Sequence, residues 1–284
     1  MKTYLECIPC FLSQAKKIMD LNKVGPDSQE KILKKIMLKL TKADLNKTPP
    51  EFALFVYKTI EEETKNNDLY KKIKKNDNKT AEKMVPQAKK IAENSSDKLE
   101  TLIRLAICGN IMDFAANQKY DISDTIEKNI NKKFAVNNYS QLKKEILKAE
   151  SIAYLADNAG EIIFDRLLIE EISRISKAQI NLFVRGKPII NDVTEKEAKA
   201  LGFEKIPRVK IMKTETVFPF ISKSKALENT LKKHDLIISK GQANYECLSE
   251  LDANIYFLLI TKCEVIARNI RVKKHGLVLM KQKP

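Results

Sequence analysis

Ser151-Ile152-Ala153-Tyr154-Leu155-Ala156-Asp157-Asn158-Ala159-Gly160-Glu161 is the stretch on which the reading of this chain turns. Its first six residues are a short apolar run that reads as a buried strand. The run ends abruptly in two acids, an amide and a glycine within five residues, where a loop should begin. Oxygen ligands at the mouth of a parallel strand suit a hard divalent cation. A nucleotide phosphate would seek glycines and backbone N–H groups instead.

Working outward, short apolar runs alternate with helical stretches on both sides of this junction. Ile152–Ala156, Ile180–Val184, Val209–Met212, Leu236–Ser239, Ile255–Ile260 and Leu277–Met280 read as strands. Ile162–Ser176, Glu195–Leu201, Tyr245–Leu251 and Glu264–Ile270 read as the helices between them. Such alternation predicts an α/β fold with a mostly parallel sheet covered on both faces. Before residue 150 the pattern is helical throughout, with segments expected at Tyr4–Leu21, Asp27–Ala43, from Pro49-Pro50, at Asp97–Ala116, Asp124–Phe134 and Tyr139–Ala149. Leu69–Asn94 reads as an exposed helical pair interrupted near Asn76-Asp77-Asn78. The expected organisation is a helical subdomain over 1–148 and an α/β core over 149–284. The boundary is a change of period, not a Gly/Ser hinge.

Composition narrows the class. The 284 residues are 43% hydrophobic and 31% charged, as in a globular protein with a heavily charged surface. No apolar stretch approaches the roughly 20 residues of a membrane span. Met1-Lys2-Thr3-Tyr4-Leu5-Glu6 has no long apolar segment and an early acid, so no signal peptide is expected. Five cysteines, odd in number and thinly spread, point to thiols in a reducing cytoplasm. The net charge of +15 is shared about evenly between the halves and is mostly lysine, without a basic tail or arginine-rich arm. It reads as a solvated surface that would help gather small anions such as phosphate esters. A nucleic-acid-binding protein is the reading that charge alone suggests; the lack of a clustered patch or stacking aromatics counts against it. A methyltransferase that uses S-adenosylmethionine on a Rossmann-like core is a further alternative. It lacks the glycine-rich first strand exit.

In an open α/β sheet, ligands bind outside the carboxyl ends of the strands. Four exits therefore matter: Asp157–Glu161, Arg185–Asp192, Lys240–Glu246 and Thr261–Glu264. Asp157 and Asp192 brought close would repel unless a cation sat between them. Mg²⁺ or Mn²⁺, held by one or two carboxylates and an amide oxygen with waters left over, resolves that conflict. Lys240 and Lys262 could then neutralise a phosphoryl group, and Gly241 would let the backbone approach closely. His234 and His275 lie beside lysines, so the base or nucleophile falls to a carboxylate or to water. Cys7-Ile8-Pro9-Cys10 could be a redox pair, half of a zinc site completed by Cys108 or Cys247, or structural thiols.

Cys7-Ile8-Pro9-Cys10, Gly109-Asn110-Ile111-Met112-Asp113 and the four exits together resemble the metal-dependent phosphatase family long labelled domain of unknown function 89, the damage-control phosphatases. The chain looks most like the stand-alone archaeal and bacterial branch that carries the N-terminal C-x-x-C, and the resemblance covers essentially its full length. It implies an all-helical N-terminal subdomain on a Rossmann-like three-layer α/β/α core. It also implies hydrolysis of phosphomonoesters of small metabolites, such as sugar phosphates or phosphopantetheine-like compounds, with Mg²⁺ or Mn²⁺ and with Ni²⁺ or Co²⁺ as further candidates. By the same resemblance Asp157, Asn158 and Asp192 are the metal ligands and Lys240 a substrate-phosphate lysine. Asn110 and Asp113 match the motif that closes the crevice from the helical side. Glu161 and Asn244 are expected at the site, Glu161 as a candidate catalytic carboxylate. Eukaryotic relatives carry an Arg-Thr-x-Lys-type motif at the last exit. This chain has Ile260-Thr261-Lys262-Cys263, so those relatives' sugar-phosphate preference does not carry over.

Overall fold

Proline and capping chemistry start the first helices. The computed structural model describes residues 1–109, 130–214 and 225–282. Helix α1 spans Cys7–Leu21, α2 Pro26–Leu40 and α3 Pro49–Thr64. Both α2 and α3 open on proline, whose missing N–H costs nothing in a first turn. Thr48 caps α3, its N–H donating to Glu51 at 2.8 Å. Their apolar stripes meet in one cluster that includes Phe11, Ile18, Ile32, Ile36, Phe52, Val56 and Ile60.

Helices α4 (Lys71–Glu93) and α5 (Lys98–Gly109) follow. The expected interruption of α4 is absent; it is one helix through Asn76-Asp77-Asn78. Nor is it wholly exposed. Lys74, Ala81, Met84, Ala88 and Ala92 recur at helical spacing and are buried, so a continuous inner face overrides the weak propensity of three Asn/Asp residues.

The rest is strand and helix in turn. Strand β1 is Phe134–Asn137, α6 Tyr139–Lys148, β2 Ser151–Leu155 and α7 Glu161–Ile175. Then come β3 (Gln179–Val184), α8 (Glu195–Ala200), β4 (Val209–Lys213) and α9 (Lys225–Lys232). Strand β5 (Leu236–Lys240), α10 (Gln242–Leu248), β6 (Ile255–Ile260), α11 (Glu264–Ile270) and β7 (Leu277–Lys281) complete the chain. Strand β1 was not anticipated, and its Phe134 belongs to the sheet, not to the end of a helix. Lone pairing against β7 is a tertiary effect that four residues of pattern do not announce.

The seven strands lie in the order β1-β7-β6-β5-β2-β3-β4. Strands β2 to β6 are mutually parallel through their pairings, and β7 runs antiparallel to β6. The expected α/β fold with a mostly parallel sheet is what forms. Strand alternation sorts the core onto two faces. Ile152, Tyr154, Ile238, Leu258 and their neighbours pack with α4, α5, α6 and α7. Ala153, Leu155, Ile237, Phe257 and Leu259 pack with residues of α9, α10 and α11. The strand–helix alternation begins with β1 at Phe134, ahead of residue 149, and α4 and α5 already belong to a layer on the sheet. A separate apolar cluster is built from α1 to α3. The chain runs outward from β2 to β3 and β4, then returns to β5 and β6 on the other side. The exits of β2 and β5 therefore flank the topological switch point.

Candidate functional site

The exits of β2 and β3 are tied directly to each other. Ala159 N–H donates to Asn191 O at 2.8 Å and Val193 N–H donates to Asp157 O at 2.9 Å. Asn158 and Asp192 thereby form an antiparallel bridge. These bonds flank the pair without joining it, the narrow arrangement that brings facing side chains closest. Asn158 Nδ2 donates to Asp157 Oδ2 at 2.8 Å, so the third residue joins the same group. Asp157, Asn158 and Asp192 are each 5% exposed. The structure brings together the three residues expected to hold a cation.

Each is held from behind. Gly241 has φ +79, and a Cβ there would lie 1.8 Å from Asp157 Oδ2, so only glycine lets the β5 exit lie against this carboxylate. Asp192 Oδ2 accepts a 2.6 Å bond from Arg185 Nε. Arg185 Nη2 donates to Asn244 Oδ1 at 3.0 Å, and Asn244 Nδ2 donates to Ala156 O and Lys240 O. Asn244 thus sits at the site as expected, as a strut between the exits of β2 and β5. The loop to Asp192 is anchored by Ile189, buried in the α1–α3 cluster. Ile190 takes φ 43, a strained value for a β-branched residue, two positions before the carboxylate.

Lys240 is placed differently from the expectation. Strand alternation puts it on the same face as Leu236 and Ile238, under α7 instead of over the rim. Its ammonium is fully buried and donates to Glu161 Oε1 at 2.5 Å, Asp165 Oδ1 at 2.6 Å and Ala106 O at 2.9 Å. Three acceptors use all three N–H groups, leaving none for a substrate phosphate. Burial alone would lower this ammonium, but the charges and bonds of Asp165 and Glu161 push it up to about 12. Burial pushes both carboxyls up, against the pull of Lys240. Tyr154 completes the network by donating to Asp165 Oδ1 at 2.7 Å.

Glu161 joins this buried network to the rim, since Asn158 Nδ2 also lies 3.4 Å from Glu161 Oε2. Lys262, at the β6 exit, is half-buried; its backbone N–H donates to Gln242 Oε1 at 3.0 Å. Its charge offsets burial at both Glu161 and Glu246. Asn110 and Asp113 lie outside the described residues.

Sequence reasoning placed Arg185 and Glu246 in their strand exits without giving them a role, and gave Asp165 and Asn78 no place at the site. Arg185 directly follows an apolar strand, seven residues before Asp192, and Asp165 follows Glu161 by one helical turn after three apolar residues; both signals were present. Asn78 Oδ1 accepts the Gly160 N–H at 2.6 Å from across the molecule, which no local pattern shows. The Cys7 and Cys10 thiols are raised, first by burial, and the charges facing them include those of Cys263 and Glu246. Cys263, not anticipated as a neighbour, is also within 3.6 Å of Gln242 Nε2.

Two carboxylates and an amide oxygen form an oxygen-only donor set suited to a small hard cation that keeps several waters. Among the described residues no group of three or more His, Cys, Asp or Glu side chains gathers to hold a metal. No helix among them is long and apolar enough to cross a membrane.

The family model described as the damage-control phosphatase ARMT1-like domain matches residues 3–278. A damage-control phosphatase of Pyrococcus horikoshii is 32% identical over 292 residues, covering 100% of this chain and 99% of its own. An uncharacterized protein of Methanocaldococcus jannaschii is 33% identical, covering 98% of this chain and 94% of its own. A damage-control phosphatase of Archaeoglobus fulgidus is 34% identical over 218 residues, 74% of this chain and 75% of its own. The crystal structure of a DUF89 family protein from P. horikoshii superposes with a TM-score of 0.86 at 32% identity, covering both chains completely.

Proposed function

The chain belongs to the damage-control phosphatase ARMT1-like domain family, and from that premise we propose that it is a divalent-metal-dependent phosphatase. Its substrates are phosphomonoesters of small metabolites, sugar phosphates or phosphopantetheine-like compounds. The observation that supports this reading is the Asn158–Asp192 bridge with Asp157 bonded to Asn158, which gathers three oxygen-bearing side chains at the switch point of the sheet. Asp157, Asn158 and Asp192 would hold Mg²⁺ or Mn²⁺, with Ni²⁺ or Co²⁺ as alternatives. The cation would supply charge to the phosphoryl oxygens and bring a coordinated water's pKa toward neutrality.

The chain's own residues account for the rest. Lys262 takes over the phosphate-facing role first given to Lys240, since it is half-buried at the neighbouring exit. Glu161 orients the Asn158 amide and is held by Lys240, so it acts by positioning. Attack comes either from water or from an aspartate carboxylate through a phosphoenzyme. Following ¹⁸O from water into product during a single turnover separates these routes.

A panel of phosphomonoesters screened with Mg²⁺, Mn²⁺, Ni²⁺ and Co²⁺ tests the proposal. Asp157→Ala and Asp192→Ala are each expected to lose at least about 100-fold in kcat/KM while remaining folded. Metal-dependent turnover unchanged in both variants would remove the assignment.

A further inference from the structure

The two carboxylates at the rim share an unusual feature: each has one named oxygen already committed. Asp192 Oδ2 accepts the Arg185 Nε–H at 2.6 Å, and Asp157 Oδ2 accepts the Asn158 Nδ2–H at 2.8 Å. Arg185 is 2% exposed, and its planar fork spans from Asp192 to Asn244, which is pinned to two backbone carbonyls of the β2 and β5 exits. The guanidinium cannot swing away without breaking that strut. Against Asp157 Oδ2 lies Gly241, close enough that no side chain could occupy the position.

Coordination chemistry gives this a consequence. Ca²⁺ takes six to eight oxygens at about 2.3–2.6 Å and readily accepts both oxygens of one carboxylate. Mg²⁺ demands six in near-octahedral array at about 2.0–2.1 Å and takes carboxylates through single oxygens. A buried guanidinium on Oδ2 fixes the plane of the Asp192 carboxylate and weakens that oxygen as a ligand, which disfavours coordination through both oxygens. We infer that Arg185 is a positioning residue that makes this site select a small octahedral cation over Ca²⁺, by holding Asp192 to single-oxygen coordination. Two carboxylate oxygens and the Asn158 amide oxygen then supply three ligands, and three positions remain for water and substrate.

The inference rests on the metal-site reading above, and calorimetry of the full chain with the cations alone tests the two separately. Wild type is expected to bind Mg²⁺ more tightly than Ca²⁺. Arg185→Met is expected to lower the Mg²⁺:Ca²⁺ affinity ratio by about ten-fold or more. Removing a positive charge strengthens attraction for both cations, and the ratio cancels that shared gain. Arg185→Lys keeps the charge but cannot bridge Asp192 and Asn244 together, so an intermediate ratio is expected. Thermal melts establish that each variant folds, and Arg185→Lys carries the test if Arg185→Met does not. Wild type that binds neither cation, or Asp157→Ala that binds both as wild type does, overturns the metal site and this inference with it. Mg²⁺ binding that needs Asp157, with no Mg²⁺ preference in wild type or the same ratio in the folded variants, overturns the role of Arg185 alone.

Discussion

Two groups of acids lie side by side at the head of the sheet, and they are built for opposite ends. Beneath α7, Glu161 and Asp165 face Lys240 in a fully enclosed cluster, and the lysine spends all its donors within the protein. Above, Asp157 and Asp192 are each steadied through one oxygen by a neighbour, Asn158 or Arg185. Residue type does not separate the groups, since both contain buried carboxylates and a buried cation. The difference is place: one cluster lies enclosed beneath α7, the other at the exits of β2 and β3. The lower group is a keystone joining β5, α5 and α7, and the upper one ties the exits of β2, β3 and β5 together at the switch point.

The strongest way to break this contrast is to remove the ammonium. Lys240→Met leaves Glu161 and Asp165 buried without the cation between them, and the expected destabilisation is about 3–5 kcal/mol. Urea unfolding at neutral pH measures it. Neutralising the acids as well, in Lys240→Met with Glu161→Gln and Asp165→Asn, should recover much of that loss, because the cost lies in stranded charge and not in lost volume. A Lys240→Met protein as stable as wild type, but unable to bind phosphate esters, would return Lys240 to the rim.

The same contrast explains what could be read from the chain. Short apolar runs with polar exits gave the sheet and the rim, because buried parallel strands need little more than that to be recognised. The neighbourhood of Asp157, Asn158 and Asp192 was legible because the first two lie just past β2 and the third in the loop that leaves β3. Lys240 was assigned to the wrong group because it was read as a loop residue, whereas it is the last residue of β5 and obeys strand alternation. Its period relative to Leu236 and Ile238 already places it under α7. Asn78 and Ile189 had no such signal: both act through contacts between distant parts of the chain, which neither propensity nor periodicity encodes. The continuity of α4 was hidden for a related reason, since its burial depends on α5 and α7 being in place.

Glu246 sharpens the comparison, because it belongs to neither group. Burial pushes its carboxyl up to about 7; a hydrogen bond from Gln242 and the charge of Lys262 oppose this, and Asp157 adds to it. The folded-state value lies above the ordinary 4.5, so the folded protein holds this proton more tightly than the unfolded chain. Its stabilising effect is present below pH 4.5 and is lost as pH rises through about 7. The shift corresponds to a loss of about 3 kcal/mol between those limits. Glu246→Gln should remove that slope and leave the variant the more stable of the two at pH 8, measured by unfolding across the pH range. A slope that persists in the variant would place the titration elsewhere.

The smallest expected effect isolates the rim. Gly241→Ala and Gly202→Ala both put a side chain on a backbone of positive φ, +79 and +72. At Gly202, with ψ 29 in the left-handed region, the backbone cost is about 1–2 kcal/mol, whereas Gly241, with ψ 166, lies in a region nearly confined to glycine and costs about 1–3 kcal/mol. At Gly202 the added Cβ meets only Lys205 Cδ at 3.7 Å, ordinary contact, so the backbone term is all that is lost. At Gly241 it would overlap Asp157 Oδ2 at 1.8 Å, and either the carboxylate or the β5 exit has to move. Equal melting losses in the two variants, with Mg²⁺ affinity intact in both, would mean that the rim carboxylate shifts freely and that its position is not what the site depends on. A larger loss at 241 accompanied by weakened Mg²⁺ binding, with Gly202→Ala binding as wild type does, would mean that the chain fixes Asp157 by steric contact from β5, just as it fixes Asp192 by the charge of Arg185.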